Sequence, residues 1–215
     1  MNNLKLLGLT AGVGSLILVG SASADFQGIS FTSSSTADGE VYLIYVDVLA
    51  GDQLNAVYGD DVTTLSIGSD NGFYQNAFGN HSVSGMNPAL FGVFPSLLND
   101  SYVTIGLETN VGNAMLDIGI DWTSFNAGGS IWTDNGSWFA TPDDAQVYEI
   151  DGKIMIMQLT MDEAESFSFE INLQGKNGSD GENWTATGIN FDTAPAPGAL
   201  ALLGLAGLAA RRRRK

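Results

Sequence analysis

Between residues 25 and 193, hydrophobic and polar positions alternate with a period of two almost everywhere. Phe167, Phe169, Ile171 and Leu173 alternate with Ser168, Glu170 and Asn172, as a strand with one buried and one wet face requires. Leu116, Ile118, Ile120 and Trp122 alternate with Asp117, Gly119 and Asp121 in the same way, and Val103, Ile105 and Leu107 repeat the pattern. Residues 41–49 are apolar on both faces apart from Asp47, which predicts a central strand covered on both sides. Two dipeptides predict type I′ hairpins: Asp151 with Gly152, between 146–150 and 153–161, and Asn135 with Gly136, between 131–134 and 137–140. In the second, Trp132 would pair with Phe139, while Trp138 would lie opposite Thr133 on the other face. Loops rich in Gly, Asn, Ser and Asp at 33–40, 68–72, 79–87 and 175–183 recur at the spacing of a sandwich. No stretch beyond a turn or two has helical periodicity; the one helix-like start is Thr141, Pro142, Asp143 and Asp144. The pattern predicts a single all-β domain, an antiparallel β-sandwich of jelly-roll or immunoglobulin-like form.

The two ends depart from this pattern. Lys5, the apolar run 6–20 and the small residues Ala22, Ser23 and Ala24 read as a secretory signal peptide over 1–24, with cleavage leaving Asp25 first. The sandwich is then expected over 25–193. Residues 194–210 hold seventeen positions without a charge, and as a helix they would cover about 26 Å of a hydrocarbon core about 30 Å thick. Arg211, Arg212, Arg213, Arg214 and Lys215 follow; such cations stay cytoplasmic and place everything before them outside. A short transmembrane helix with a basic stop is expected over 194–215.

Pro195, Ala196 and Pro197, the Leu/Ala/Gly run and the arginine block together resemble the PEP-CTERM sorting signal of Gram-negative bacteria, with Ala196 where that family usually has glutamate. The resemblance covers about a tenth of the chain. It implies a membrane-embedded exosortase-like processing enzyme as partner and anchorage in the inner membrane through the C-terminal helix before processing. It further implies residence in the outer envelope or extracellular matrix, in association with extracellular polysaccharide. A second resemblance rests on Val41 and Tyr42, Val57 to Gly59 (Val57, Tyr58, Gly59), Phe73 with Tyr74, Phe78 with Gly79, and Phe91 with Gly92. These are similar to an uncharacterised secreted domain of planctomycete-type bacteria, which has no assigned activity.

Charge separates the domain from its flanks. All twenty-four Asp and Glu lie within 25–193, opposed there only by Lys153 and Lys176, a formal charge near −22 against −16 for the whole chain. Such a surface repels nucleic acid and anionic lipid and attracts divalent cations. The chain has no cysteine, which excludes thiol chemistry and thiolate metal sites.

Catalytic signals are sparse. His81 is the only histidine, and no serine stands in a nucleophile-elbow context. Asp117 and Asp121, placed on one strand face, would be about 13 Å apart, beyond the ~5–9.5 Å that glycoside hydrolysis uses. No enzyme activity and no obligatory cofactor are expected. Structural calcium is the better use of the acids: Asp60 with Asp61, Asp38 with Glu40, and Asp180 with Glu182 put oxygen ligands on flexible backbone. The competing reading is that these are turns using Asp, Asn and Gly for their backbone preferences. Among the four tryptophans, Trp122 reads as core, and Trp184 is either an exposed ring, a candidate sugar platform, or equally an ordinary strand start. Two functions are therefore expected: a non-catalytic structural or adhesive surface protein, or alternatively a carbohydrate-binding module or carboxylate-based glycoside hydrolase.

Overall fold

A computed structural model describes residues 25–163 and 165–193. Ala22, Ala24, the sorting residues Pro195, Ala196 and Pro197, and the basic block Arg211, Arg212, Arg213, Arg214 and Lys215 lie outside the described residues. No helix among the described residues is long and apolar enough to cross a membrane.

The strands, in chain order, are β1 (Phe26–Thr36), β2 (Gly39–Val48), β3 (Gln53–Gly59), β4 (Leu65–Ser69), β5 (Tyr102–Val103), β6 (Leu116–Ile118), β7 (Ile131–Thr133), β8 (Gly136–Phe139), β9 (Lys153–Met161), β10 (Phe167–Lys176) and β11 (Asn183–Asp192). They form two sheets with antiparallel pairing between the strands. The smaller runs β1-β2-β9-β5, and the larger contains the other seven strands. One core cluster draws on both, with Ile29, Ile44, Val46 and Leu159 from the smaller sheet meeting Leu54, Val57, Trp138, Phe169, Ile171 and Ile189 from the larger. The fold is an all-β sandwich.

The registers show why seven strands make a sheet only five positions wide. Along one edge of β10, Phe167 to Glu170 pair with β4 and Asn172 to Lys176 pair with β3. β3 and β4 are thus two stretches of one line, interrupted by the excursion 60–64. β8 and β7 continue it beside them, at Ala56↔Phe139 through Gly59↔Gly136 and at Leu65↔Thr133 through Ile67↔Ile131. The expected hairpin at Asn135 and Gly136 is therefore absent: Trp132 pairs with Ser66 and Trp138 with Val57. The reason is the longer pairing that the β3–β4 line offers to β7 and β8, and the backbone follows it. A type I′ turn needs positive φ at both central residues, and neither Asn135 nor Gly136 has it. Asp151 and Gly152, with φ of 54° and 76°, do adopt that geometry and close Ile150 onto Lys153. The residues before this turn are no long strand, however; Ala145–Val147 form a 3-10 turn whose N-cap is Asp144, accepting from Gln146 N.

β2 is central, paired on both sides by β1 and β9. Its outer face is covered by the segment between β4 and β5. This segment contains the one-turn helix α1 (Pro88–Phe91) and 3-10 turns at Val83–Gly85 and Pro95–Asn99. Asn87 caps α1 by accepting from Ala89 N, with Pro88 in the first turn. A second cluster results, in which Val83, Met86, Leu97, Tyr102 and Met155 pack with Leu43, Tyr45, Leu90, Phe91 and Phe94. The double-sided apolar character of 41–49 has this cause.

The run 116–122 corrects a further expectation. β6 ends at Ile118, before Gly119 turns at φ 73° against the backbone of Asn135. Leu116 and Ile118 are 61% and 66% exposed, whereas Trp122 is core. Asp117 pairs with Trp138 and so points to its side of the sheet, while the apolar members point away; all three residues of this edge strand remain exposed. Asp121 lies beyond the strand, and hydrogen bonds from the Thr123 hydroxyl and then from Thr123 N hold its pKa below the ordinary carboxylate value.

The first and last described residues are far apart. Asp25 accepts from Asn177 Nδ2 just beyond one end of β10, while Thr193 bonds Phe167 at the other. Ten strand residues separate these points, about 30 Å.

Candidate functional site

The lone histidine lies in a polar cluster at the rim of the core. Val103 N donates to His81 O at 2.9 Å, which pins the 79–82 loop to β5. The His81 ring stacks on Trp122 with centroids 4.5 Å apart and an interplanar angle of 11°. Its Nε2 is 3.7 Å from Asp117 Oδ2, and Asp117 Oδ1 accepts from Trp122 Nε1 at 2.8 Å. Burial lowers the His81 pKa, and the Asp117 charge opposes this only in part. Nδ1 is enclosed with no hydrogen-bond partner among the described residues. Ser82, next in the chain, engages Asn80 and Ser84 instead. The cluster thus joins an imidazole to a carboxylate without a hydroxyl between them and the solvent, an arrangement that orients rings rather than activating a nucleophile.

Asp100 is the most perturbed acid. Its side chain is fully buried, its Oδ1 accepts from Asn76 N at 2.6 Å, and its Oδ2 has no partner among the described residues. Burial pushes its pKa up to about 7, against the opposing pull of the Asn76 N–H. Gly79 packs directly on it; a Cβ there would fall 1.7 Å from Oδ2. Asp100 stands just before the alternating run that starts at Val103 and is no member of it, so periodicity does not mark it.

The calcium candidates fall at separate places. Asp60 Oδ1 accepts from Val62 N at 2.9 Å and Thr63 N at 2.7 Å, closing the 60–64 excursion as an Asx turn, with Asp61 exposed beside it. Asp180 Oδ1 accepts from Glu182 N in the β10–β11 connection. Asp38 accepts from Asn99 Nδ2, and Ser35 Oγ donates to Glu40. Among the described residues no three His, Cys, Asp or Glu side chains come together as a metal site.

The tryptophans redistribute. Trp184 is only 4% exposed, with its indole against Gly175, which excludes it as a sugar platform; it belongs to the core. Trp138 is fully buried and donates to Thr104 O. Trp132 is the exposed ring, at 58%. Cross-strand pairing places it in line with Ser66, Glu170 and Asn190 on the outer face of the larger sheet. Beside this line runs another, Gly68, Ser168 and Asp192, next to a shallow depression of about 450 Å³ that Asp70 also lines. Period-two reasoning gives these faces; what it missed was that β7 pairs with β4.

No protein-family model matches the chain, no curated protein is significantly similar to it, and no solved structure matches its fold.

Proposed function

We propose that this chain is an exported, non-catalytic protein of the bacterial surface or extracellular matrix, handled at its C-terminus by an exosortase-like enzyme. The observation that carries this reading is the charge distribution. Twenty-four acids share the sandwich with two lysines, and each lysine stands about 4 Å from an acid: Lys153 from Asp47 and Lys176 from Asp143, at 3.9 Å each. A domain with this surface stays soluble by self-repulsion and is repelled by nucleic acid and anionic lipid. Its first and last described residues, about 30 Å apart, suit a chain delivered from one side and tethered from the other. The mass of the mature protein isolated from its native envelope tests the reading. Cleavage after Ala24 and near Pro195 to Pro197 (Pro195, Ala196, Pro197) is expected; an intact C-terminus ending at Lys215 in the mature surface form would overturn the processing.

A polysaccharide-binding role is the second reading, favoured by the exposure of Trp132 in line with polar side chains. Carboxylate-based hydrolysis has less support. Asp117 is committed to the Trp122 indole and Asp121 to Thr123 N, so the two acids serve packing and a turn.

A further inference from the structure

The outer face of the larger sheet contains a surface on which one kind of ligand fits. Trp132, Ser66, Glu170 and Asn190 form a line across four strand positions. This line is about 14 Å long, enough for a short run of sugar units. Its middle is low, because Ser66 is small and the neighbouring line offers Gly68, with Ser130 Oγ against it, and Ser168. An indole standing at one end of a floor of small residues, with an amide and a carboxylate further along, is what a pyranose polymer needs. The apolar ring face stacks on the indole, and hydroxyls or amines reach the polar groups. The Trp132 ring is 58% exposed and so accessible to a ligand.

Charge selects among polysaccharides. Glu170 lies within the line, and Asp70 borders the depression beside it. Neither lysine of the described residues is near, since Lys153 joins Asp47 and Lys176 joins Asp143. Uronic or sulfated polymers meet repulsion here, whereas protonated amines meet carboxylates. The geometry points to an extended amino-sugar polysaccharide as the ligand of this face, with Trp132 stacking one ring and Glu170 receiving an ammonium group. This rests on the polysaccharide-binding reading above and names its site and ligand class.

The probe is a glucosamine oligomer of six units, titrated near pH 6 into the full-length protein and followed by calorimetry and tryptophan fluorescence. Its N-acetylated counterpart, a neutral glucose oligomer and a galacturonate oligomer of equal length serve as comparisons. The glucosamine oligomer should bind tightest and the galacturonate oligomer weakest. Trp132→Ala should weaken binding about tenfold, the loss of one stacking contact, while Trp132→Phe retains part of it. Glu170→Gln should remove the preference for the free amine over the N-acetylated form. Polylysine should bind Trp132→Ala and parent alike, because it measures only general attraction to an acidic protein. If Trp132→Ala leaves glucosamine-oligomer binding unchanged, the attraction is non-specific and the site is overturned. If the neutral or N-acetylated oligomer binds tighter through Trp132, polysaccharide binding stands and the amino-sugar assignment falls. If no oligomer binds, both fall.

Discussion

On the outer face of the smaller sheet, Leu43, Tyr45 and Met155 lie beneath α1 and the two 3-10 turns. On the outer face of the larger sheet, Leu116, Ile118 and Trp132 face solvent. Covering the first face has a polar consequence. The strand groups under the cover need partners, so Gln158 Nε2 donates to Leu98 O and Asp100 O, and Thr160 N donates to Ser101 Oγ. The cover must also enclose Asp100. The bare face avoids these costs by leaving its acids and Trp132 in water. The difference teaches that burying a sheet's second face depends on whether irregular chain can satisfy the polar groups it traps.

The cover offers the largest test of this contrast. Leu97 is fully buried within it, and Leu97→Ala should cost about 2–5 kcal/mol, measured by urea denaturation. A cost well under 1 kcal/mol, or a separate early transition, would mean that the cover does not belong to the cooperative unit.

Asp100 sharpens the contrast through pH. Its folded pKa of about 7 lies above the ordinary 3.8, so the folded state holds a proton that the unfolded chain releases. Its contribution is fully present below about pH 4 and is lost as pH rises through 7. The gap corresponds to as much as about 4 kcal/mol. Asp100→Asn, which keeps the shape without the charge, should therefore be more stable than the parent at pH 8 and equal to it at pH 4. The difference between the two proteins is the readout, because the other carboxylates and His81 contribute to both. His81 acts in the opposite sense: its lowered pKa removes stability as pH falls through its ordinary 6.5. A pH-independent difference between parent and Asp100→Asn would show that Asp100 stays ionised in the fold.

The same contrast marks what can be read along the chain. Phe167, Phe169, Ile171 and Leu173 are buried as their alternation predicts, because β10 lies between partners and a one-residue slip would expose every one of them. The sandwich class follows from such strands. Leu116 and Ile118 defeat the same rule at an edge, where a three-residue strand has little apolar area to fix its register and Asp117 gains the Trp122 hydrogen bond by pointing to the Trp138 side of the sheet. Trp132 and Trp138 keep to opposite faces as the alternation predicts, but topology gives them other partners. Asn135 and Gly136 suit a hairpin locally, but the β3–β4 line offered a longer pairing on the same sheet. Asp100 was illegible because its environment is assembled from Asn76, Gly79 and Leu97, which no local pattern brings together.

The excursion 60–64 covers an enclosed polar residue of the larger sheet, since Asn172, fully buried, donates to Thr63 O. Asp60 closes that loop, so Asp60→Ala should cost about 1 kcal/mol, as loss of a side-chain cap does elsewhere. Chelation with EDTA should leave the melting temperature of the parent unchanged, because the Asp60 carboxylate is already engaged by two backbone N–H groups. A fall of several degrees on chelation, restored by calcium, would instead make this loop a structural cation site.

The smallest effect is expected on the bare face itself. Leu116→Thr combined with Ile118→Thr changes two side chains that are mostly in water and sit on a short edge strand. Substitutions of this kind fall within about 0.5 kcal/mol, and threonine supplies the β-branched shape that a pleated edge favours. Urea denaturation across a hundredfold range of protein concentration checks this. A stability loss that grows with protein concentration would mean that a second copy covers Leu116 and Ile118 in solution. The two sheets would then differ in what covers them, a segment of the same chain on one and another molecule on the other, rather than in whether they are covered.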